Sequence, residues 1–140
     1  VTLHVGPGTF MPIRNDDLAS YTMLPERYAI GEDVAARIGT VRAAGGRIVA
    51  VGTTTVRALE SAVAATDRLE GSSGEAALFI RPGHRFRVVD AMLTNFHLPR
   101  TPLLAMVAAV AGWNRVRAAY EEAVARGYRF YSFGDAMLIT

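Results

Sequence analysis

At 140 residues the chain has room for one domain with a proper core. Its 15 basic residues stand against 13 acidic, a formal charge of +2, too weak to argue nucleic-acid binding on electrostatics alone. Without cysteine it carries no disulfide, no thiolate metal site and no cysteine nucleophile.

The first element is a strand over Thr2–Val5, where Val1, Leu3 and Val5 alternate with polar positions. Gly6-Pro7-Gly8 then turns the chain. Residues 15–31 carry Asp16-Asp17, Pro25 and Gly31 and read as mostly loop. Glu32–Ala44 places Val34, Ile38 and Val41 on one stripe and stops at Gly45-Gly46, which predicts a helix. Arg47–Val51 is a β-branched run between Gly-Gly and Gly-Thr, read as a buried parallel strand feeding a helix over Thr54–Ala65. Asp67–Ala76, centred on Gly71-Ser72-Ser73-Gly74, reads as a surface loop.

Ala77–Ile80 and Arg87–Leu93 read as strands. Thr101–Ala111 is apolar nearly all round, the mark of a buried helix. Its run from Leu103 to Gly112 is about half of what a membrane span needs. Arg115–Arg126 is amphipathic and ends at Gly127, and Arg129–Phe133 and Met137–Ile139 complete the strand set. This order predicts an α/β fold, a three-layer α/β/α sandwich with a parallel or mixed sheet. Both ends fall inside or beside predicted structure, so the expectation is that residues 1–140 are part of a larger protein.

Four stretches carry side chains capable of chemistry. His4-Val5-Gly6-Pro7-Gly8-Thr9-Phe10 is a glycine loop after a strand, where backbone can approach a ligand or simply turn. Val51-Gly52-Thr53-Thr54-Thr55-Val56-Arg57 ends a strand and opens a helix. Free N–H groups there favour an anion, and threonine is equally a good cap. Thr94-Asn95-Phe96-His97-Leu98-Pro99 sits at the carboxyl end of the strand Arg87–Leu93, which contains Val88-Val89-Asp90. Asn95 and His97 suit a nucleobase edge or a ribose, and histidine titrates near neutrality. Tyr131-Ser132-Phe133-Gly134-Asp135 sets a carboxylate beside a glycine turn. A basic loop with Arg81, Arg85 and Arg87 around His84 is read as a solvated hairpin or an RNA phosphate contact. Histidines 4, 84 and 97 are scattered, with no metal-ligand spacing. Every basic residue is arginine, the residue better suited to phosphate and stacking contacts.

In this order these motifs resemble the S-adenosylmethionine:tRNA ribosyltransferase-isomerase family of queuosine synthesis. The residues carrying the likeness are Leu3-His4-Val5-Gly6 with Gly8-Thr9-Phe10, Val51-Gly52-Thr53-Thr54 with Val56-Arg57 and Leu59-Glu60-Ser61, and Phe79-Ile80 with Pro82-Gly83. Phe86, Val88-Val89-Asp90, Thr94 through Pro99, and Tyr128-Arg129-Phe130 through Gly134-Asp135-Ala136-Met137 complete it.

The resemblance implies that residues 1–140 are the C-terminal portion of the α/β domain of a larger two-domain enzyme, with the family's inserted β-barrel outside this chain. It implies transfer and isomerisation of the ribosyl group of S-adenosylmethionine onto 7-aminomethyl-7-deazaguanine at the tRNA wobble position. The product is epoxyqueuosine, and adenine and methionine leave. S-adenosylmethionine is then a co-substrate and tRNA the partner. No metal or membrane is involved, the location is cytoplasmic, and family members are usually monomers. His97, Asp135 and His4 are the implied catalytic residues. Gly6, Gly8, Thr9, Gly52, Thr53, Thr54, Arg57, Asp90 and Asn95 are the implied donor-binding residues.

The chain departs from the family at Tyr21-Thr22-Met23-Leu24-Pro25-Glu26, where members typically carry His-x-Met-His-x-Glu. It also has Arg100-Thr101-Pro102-Leu103 in place of the usual Ser-Thr-Leu. These departures leave two alternatives open, a relative acting on another acceptor and a non-catalytic nucleoside- or tRNA-binding paralogue.

Overall fold

The fold is given by a computed structural model that describes residues 1–13 and 20–140, with only the backbone of Thr9 and Phe10. Asp16-Asp17, within the segment expected to be loop, lie outside the described residues. In chain order the elements are β1 (Thr2–His4), a 3-10 turn (Pro7–Phe10), β2 (Glu26–Ile30), α1 (Glu32–Ala43), β3 (Val49–Val51), α2 (Thr53–Thr66), β4 (Ser72–Ala76), β5 (Ala91–Asn95), α3 (Pro102–Ala111), α4 (Trp113–Ala125) and β6 (Ala136–Ile139).

The strands form two three-stranded sheets, β1-β2-β4 and β3-β5-β6. The first is antiparallel throughout. In the second, β3 runs parallel to β5 and β6 runs antiparallel to it, so the α/β class and the mixed sheet are as expected.

Helix α2 holds the two sheets together. It contacts β4 and β1 of the first and β3 and β5 of the second. Its apolar residues explain this: Val56, Ala58, Leu59, Ala62 and Val63 are all buried, more than one stripe of a helix exposed on one side would carry. Against this core lie Met92, Met106 and Val107, each at most 1% exposed. Helix α3 begins at Pro102, and the Thr101 hydroxyl caps it by accepting from the Leu104 N–H at 3.3 Å. Across the mixed sheet, Val51, Leu93 and Leu138 are register partners on one face and all are exposed.

Six expectations about elements differ from the structure. Strand β3, read as buried, has only Ala50 buried, and Val49 and Val51 are exposed because no element packs on that face of the sheet among the described residues. Residues 26–30, read as loop, are strand β2, which pairs on both sides. Ser72–Ala76, also read as loop, is β4, and Ala77–Ile80 is not strand. Gly74 faces Tyr28 so closely that a Cβ there would lie 3.1 Å from the ring hydroxyl. Pairing to β2 and the aromatic ring over the glycine override the poor strand propensity of Gly-Ser-Ser-Gly. Residues 87–89 give their N–H groups to Glu60 instead of to a strand, so β5 begins only at Ala91. Arg129–Phe133 is a turn in which Tyr131 takes φ 63° and donates its N–H to Phe96 O at 2.8 Å.

Candidate functional site

Because β3 and β5 are parallel, both carboxyl ends lie at one edge of the mixed sheet. The antiparallel β6 begins there, with Ala136 opposite Asn95. Three of the four chemically capable stretches therefore meet. The Gly52 N–H donates to Leu93 O at 2.9 Å, Asn95 Nδ2 donates to Asp135 O at 3.0 Å, and Tyr131 is tied to Phe96. The first loop approaches through its 3-10 turn, which contacts α3, and through the Ile13 N–H, which donates to Arg100 O at 2.7 Å.

Gly52 is the N-cap of α2 at φ 86°, a conformation that favours glycine, and it offers no side chain to the first turn. Thr53 is buried and Thr54 half-buried, while the Thr55 hydroxyl turns back to Val51 O at 2.8 Å. The uncapped turn presents partial positive charge at the carboxyl edge, where ligands of open α/β sheets bind.

His97 is 9% exposed. Its Nε2 lies 2.8 Å from the buried Thr94 hydroxyl, and its backbone N–H donates to Tyr120 Oη at 2.9 Å. Burial lowers the His97 pKa to about 4, so the ring is neutral at neutral pH. Burial pushes the Tyr120 phenol up, against a smaller opposite effect of the bond from His97. Phe96 forms the hub of an aromatic cluster, with Tyr120, Tyr128 and Phe130 at centroid distances of 5.5, 5.6 and 5.5 Å.

Asp135 Oδ2 accepts from the Arg129 N–H at 2.6 Å and from Arg129 Nε at 3.3 Å. The backbone bond first, then the guanidinium, hold the carboxyl below the usual range, so Asp135 stays ionised. Gly134 at φ 120° lets the Arg129 guanidinium pass; a Cβ there would sit 2.8 Å from Nη2.

Of the remaining expected residues, Asp90, Arg57, Gly6 and Gly8 are engaged by the protein itself, and the Thr9 side chain lies outside the described residues. Asp90 precedes β5, at the amino edge of the sheet, opposite the site. It accepts from the Ile48 N–H at 2.8 Å and lies 3.9 Å from Arg42. Arg57 turns into the core, 3.1 Å from Glu26, and its Nη2 donates to Ala76 O at 2.8 Å. Desolvation lowers the Arg57 pKa, and Glu26 opposes this. The Gly6 N–H donates to the same Glu26 at 2.9 Å. Gly8 packs on Leu24, where a Cβ would fall 2.6 Å from that side chain's Cβ. His4 is exposed on β1, in the other sheet.

Glu26, Glu60, Thr94 and Tyr120 were not singled out by sequence reasoning. Glu60 stands in the Leu59-Glu60-Ser61 run, but one acidic residue on a helix reads as surface. The structure instead buries it to 1% exposure, with Oε1 accepting from the Val88 and Val89 N–H groups and Oε2 from that of Arg87, all at 2.9 Å.

An α/β unit in which the Gly52–Thr54 turn, Asn95–His97 and Asp135 gather at the carboxyl edge of a mixed sheet is thus defined. The chain belongs to the queuosine biosynthesis protein family, whose sequence model matches residues 1–139. It is 63% identical over 139 residues to an S-adenosylmethionine:tRNA ribosyltransferase-isomerase of Anaeromyxobacter dehalogenans, covering 99% of this chain and 40% of that protein. A protein of the same name from Ralstonia nicotianae is 56% identical over 140 residues, covering 100% of this chain and 39% of its own length. The fold is similar to the crystal structure of an S-adenosylmethionine tRNA ribosyltransferase from Thermotoga maritima, with a TM-score of 0.77 and 52% identity over 82% of this chain and 40% of that one. The chain therefore spans about two fifths of the length of the relatives it matches. No helix among the described residues is long and apolar enough to cross a membrane.

Proposed function

We propose that the chain is the C-terminal portion of the α/β domain of a tRNA-modifying, S-adenosylmethionine-dependent ribosyltransferase-isomerase acting in the cytoplasm. In this reading it transfers the ribosyl group to 7-aminomethyl-7-deazaguanine in tRNA and releases adenine and methionine. The observation that carries the reading is the meeting of the Gly52–Thr54 turn, Asn95–His97 and Asp135 at one sheet edge, in a chain so similar to proteins of that name.

The chemistry makes three demands. The sulfonium acidifies the adjacent ribose carbon, so a base must take a proton. Adenine leaves more readily if protonated, and the acceptor amine must attack as the neutral base. Asp135, held ionised, suits proton abstraction or a ribose hydroxyl. Neutral His97 suits hydrogen bonding to adenine or the donor, and Asn95 suits a base edge. The first turn of α2, with Gly52, Thr53 and Thr54, suits the donor's carboxylate. The first-loop residues Gly6, Gly8, Thr9 and His4 belong to the proposed donor-binding and catalytic set, with Arg57 and Asp90 acting through the backbone they hold.

One observation favours a second reading, a relative with an altered acceptor. Tyr21 is packed on Phe79 at 5.0 Å, and Leu24 lies against Gly8, at the two positions where the family typically carries histidine.

The deciding experiment incubates the full-length protein with S-adenosylmethionine and an anticodon stem-loop carrying 7-aminomethyl-7-deazaguanine, with mass spectrometry of all products. Adenine, methionine and the epoxyqueuosine mass are the expected result. S-adenosylmethionine bound without product would move the assignment to the altered acceptor.

A further inference from the structure

At the far end of α2 from the Gly52 turn lies a polar cleft of about 450 Å³, lined by Arg42, Val63, Asp67, Arg85, Phe86 and Arg87. Three arginines and one carboxylate line it, and a second carboxylate, Asp90, lies 3.9 Å from Arg42, which leaves an excess of one positive charge.

The cleft is built on fixed backbone. Glu60 clamps residues 87–89 through three N–H groups. Arg42 Nη1 donates to Val88 O at 2.7 Å. Arg87 donates to Val63 O at 3.2 Å and pairs with Asp67. Both guanidiniums are thus held by one or two groups, with further N–H donors left over. Arg85 is exposed and makes no hydrogen bond or ion pair among the described residues. A pre-positioned pair of forks with one free arginine suits a tetrahedral phosphate oxygen set. Phe86 lines the same space and offers an apolar ring beside it.

We propose that this cleft binds a backbone phosphate of the RNA substrate, a second anchor remote from the reacting nucleotide. It rests on RNA being the acceptor. Helix α2 has 14 residues, which separates the cleft from the Gly52 turn by roughly 20 Å at the usual helical rise. One nucleoside cannot bridge that distance, whereas a folded stem-loop can. Such a contact carries no base specificity; it sets the register of the RNA on the protein.

Arg85 is the residue to change, because nothing in the fold depends on it. Binding of an unmodified RNA stem-loop to the full-length protein is measured by fluorescence anisotropy across a salt series, for wild type, Arg85→Glu and Arg85→Lys. Arg85→Glu should bind about tenfold more weakly at low salt, and its log–log salt slope should be shallower by about one. Arg85→Lys should restore most of the affinity, and the melting temperature should not move. Equal affinity and slope in wild type and Arg85→Glu, with adenine release intact, would overturn the cleft and leave the proposed activity standing. The Arg85→Glu loss without any adenine release by wild type would overturn the proposed activity and keep the cleft as an RNA site.

Discussion

Glu26 and Arg57 form an ion pair of 3.1 Å with both side chains 2% exposed, and that pair ties α2 to the antiparallel sheet directly behind the glycine loop. Two buried charges are worth little against well-packed apolar residues, but either one alone is costly. Glu26→Ala should therefore destabilise the chain by about 3–5 kcal/mol, because Arg57 is left charged in the core. Arg57→Met should cost a similar amount. Combining Arg57→Met with Glu26→Leu should recover part of the loss, leaving the Gly6 N–H and the Ala76 carbonyl without their side-chain partners. Urea unfolding of the four proteins measures the cycle, and strict additivity would refute the coupling.

Glu60 tests a different use of burial. Its carboxylate satisfies three backbone N–H groups just ahead of β5. Glu60→Ala strands those donors, and the expected destabilisation is at least about 3 kcal/mol. Hydrogen exchange at Val88 and Val89 should rise before that of β5. Uniform exchange in the variant would show that the clamp is not local.

The neutral His97 ring makes stability depend on acid. Its pKa falls to about 4 in the folded protein from an ordinary value of 6.5. The folded state therefore binds fewer protons in that window, and stability is full above pH 6.5 and falls as the pH drops toward 4. The loss over that range is roughly 3 kcal/mol. His97→Gln should flatten this part of the profile, measured as urea midpoint against pH. A steep profile in the variant would assign the effect elsewhere.

Tyr120→Phe removes only the acceptor for the His97 N–H and leaves the ring cluster in place. A cost of about 1 kcal/mol is expected. If the bond positions His97 for the reaction, turnover should fall further than stability does, with little change in S-adenosylmethionine affinity.

Asp135→Asn should separate chemistry from folding. The wild-type carboxyl is held ionised by Arg129, so activity should not decline with its titration anywhere above the normal carboxylate range. The variant should lose about 100-fold or more in adenine release if Asp135 transfers the proton. Retention of full activity would remove Asp135 from the catalytic set.

Much of this chain is legible without coordinates. Helix α1, with its apolar stripe and glycine boundary, and α3, apolar nearly all round behind a threonine cap, carry their instructions locally. The place of β3 is equally local, its β-branched run leading into Gly52, whereas its expected burial fails at Val49 and Val51. The motifs of the candidate site are also local, since residue identity is what makes Asn95, His97 and Asp135 chemically capable. What the sequence could not settle is which partner each group meets. Ser72–Ala76 is strand only because β2 lies beside it, and residues 87–89 are not strand because Glu60 takes their N–H groups. Arg57 and Asp90 belong to motifs suited to ligand contact, yet burial and the sheet's far edge assign them to the scaffold. His97 keeps its ring and loses its ordinary pKa through desolvation, which depends on the packing of residues distant in the chain. Periodicity and residue chemistry are written in the sequence; pairing, burial and electrostatic environment arise only when distant segments are brought together by the fold.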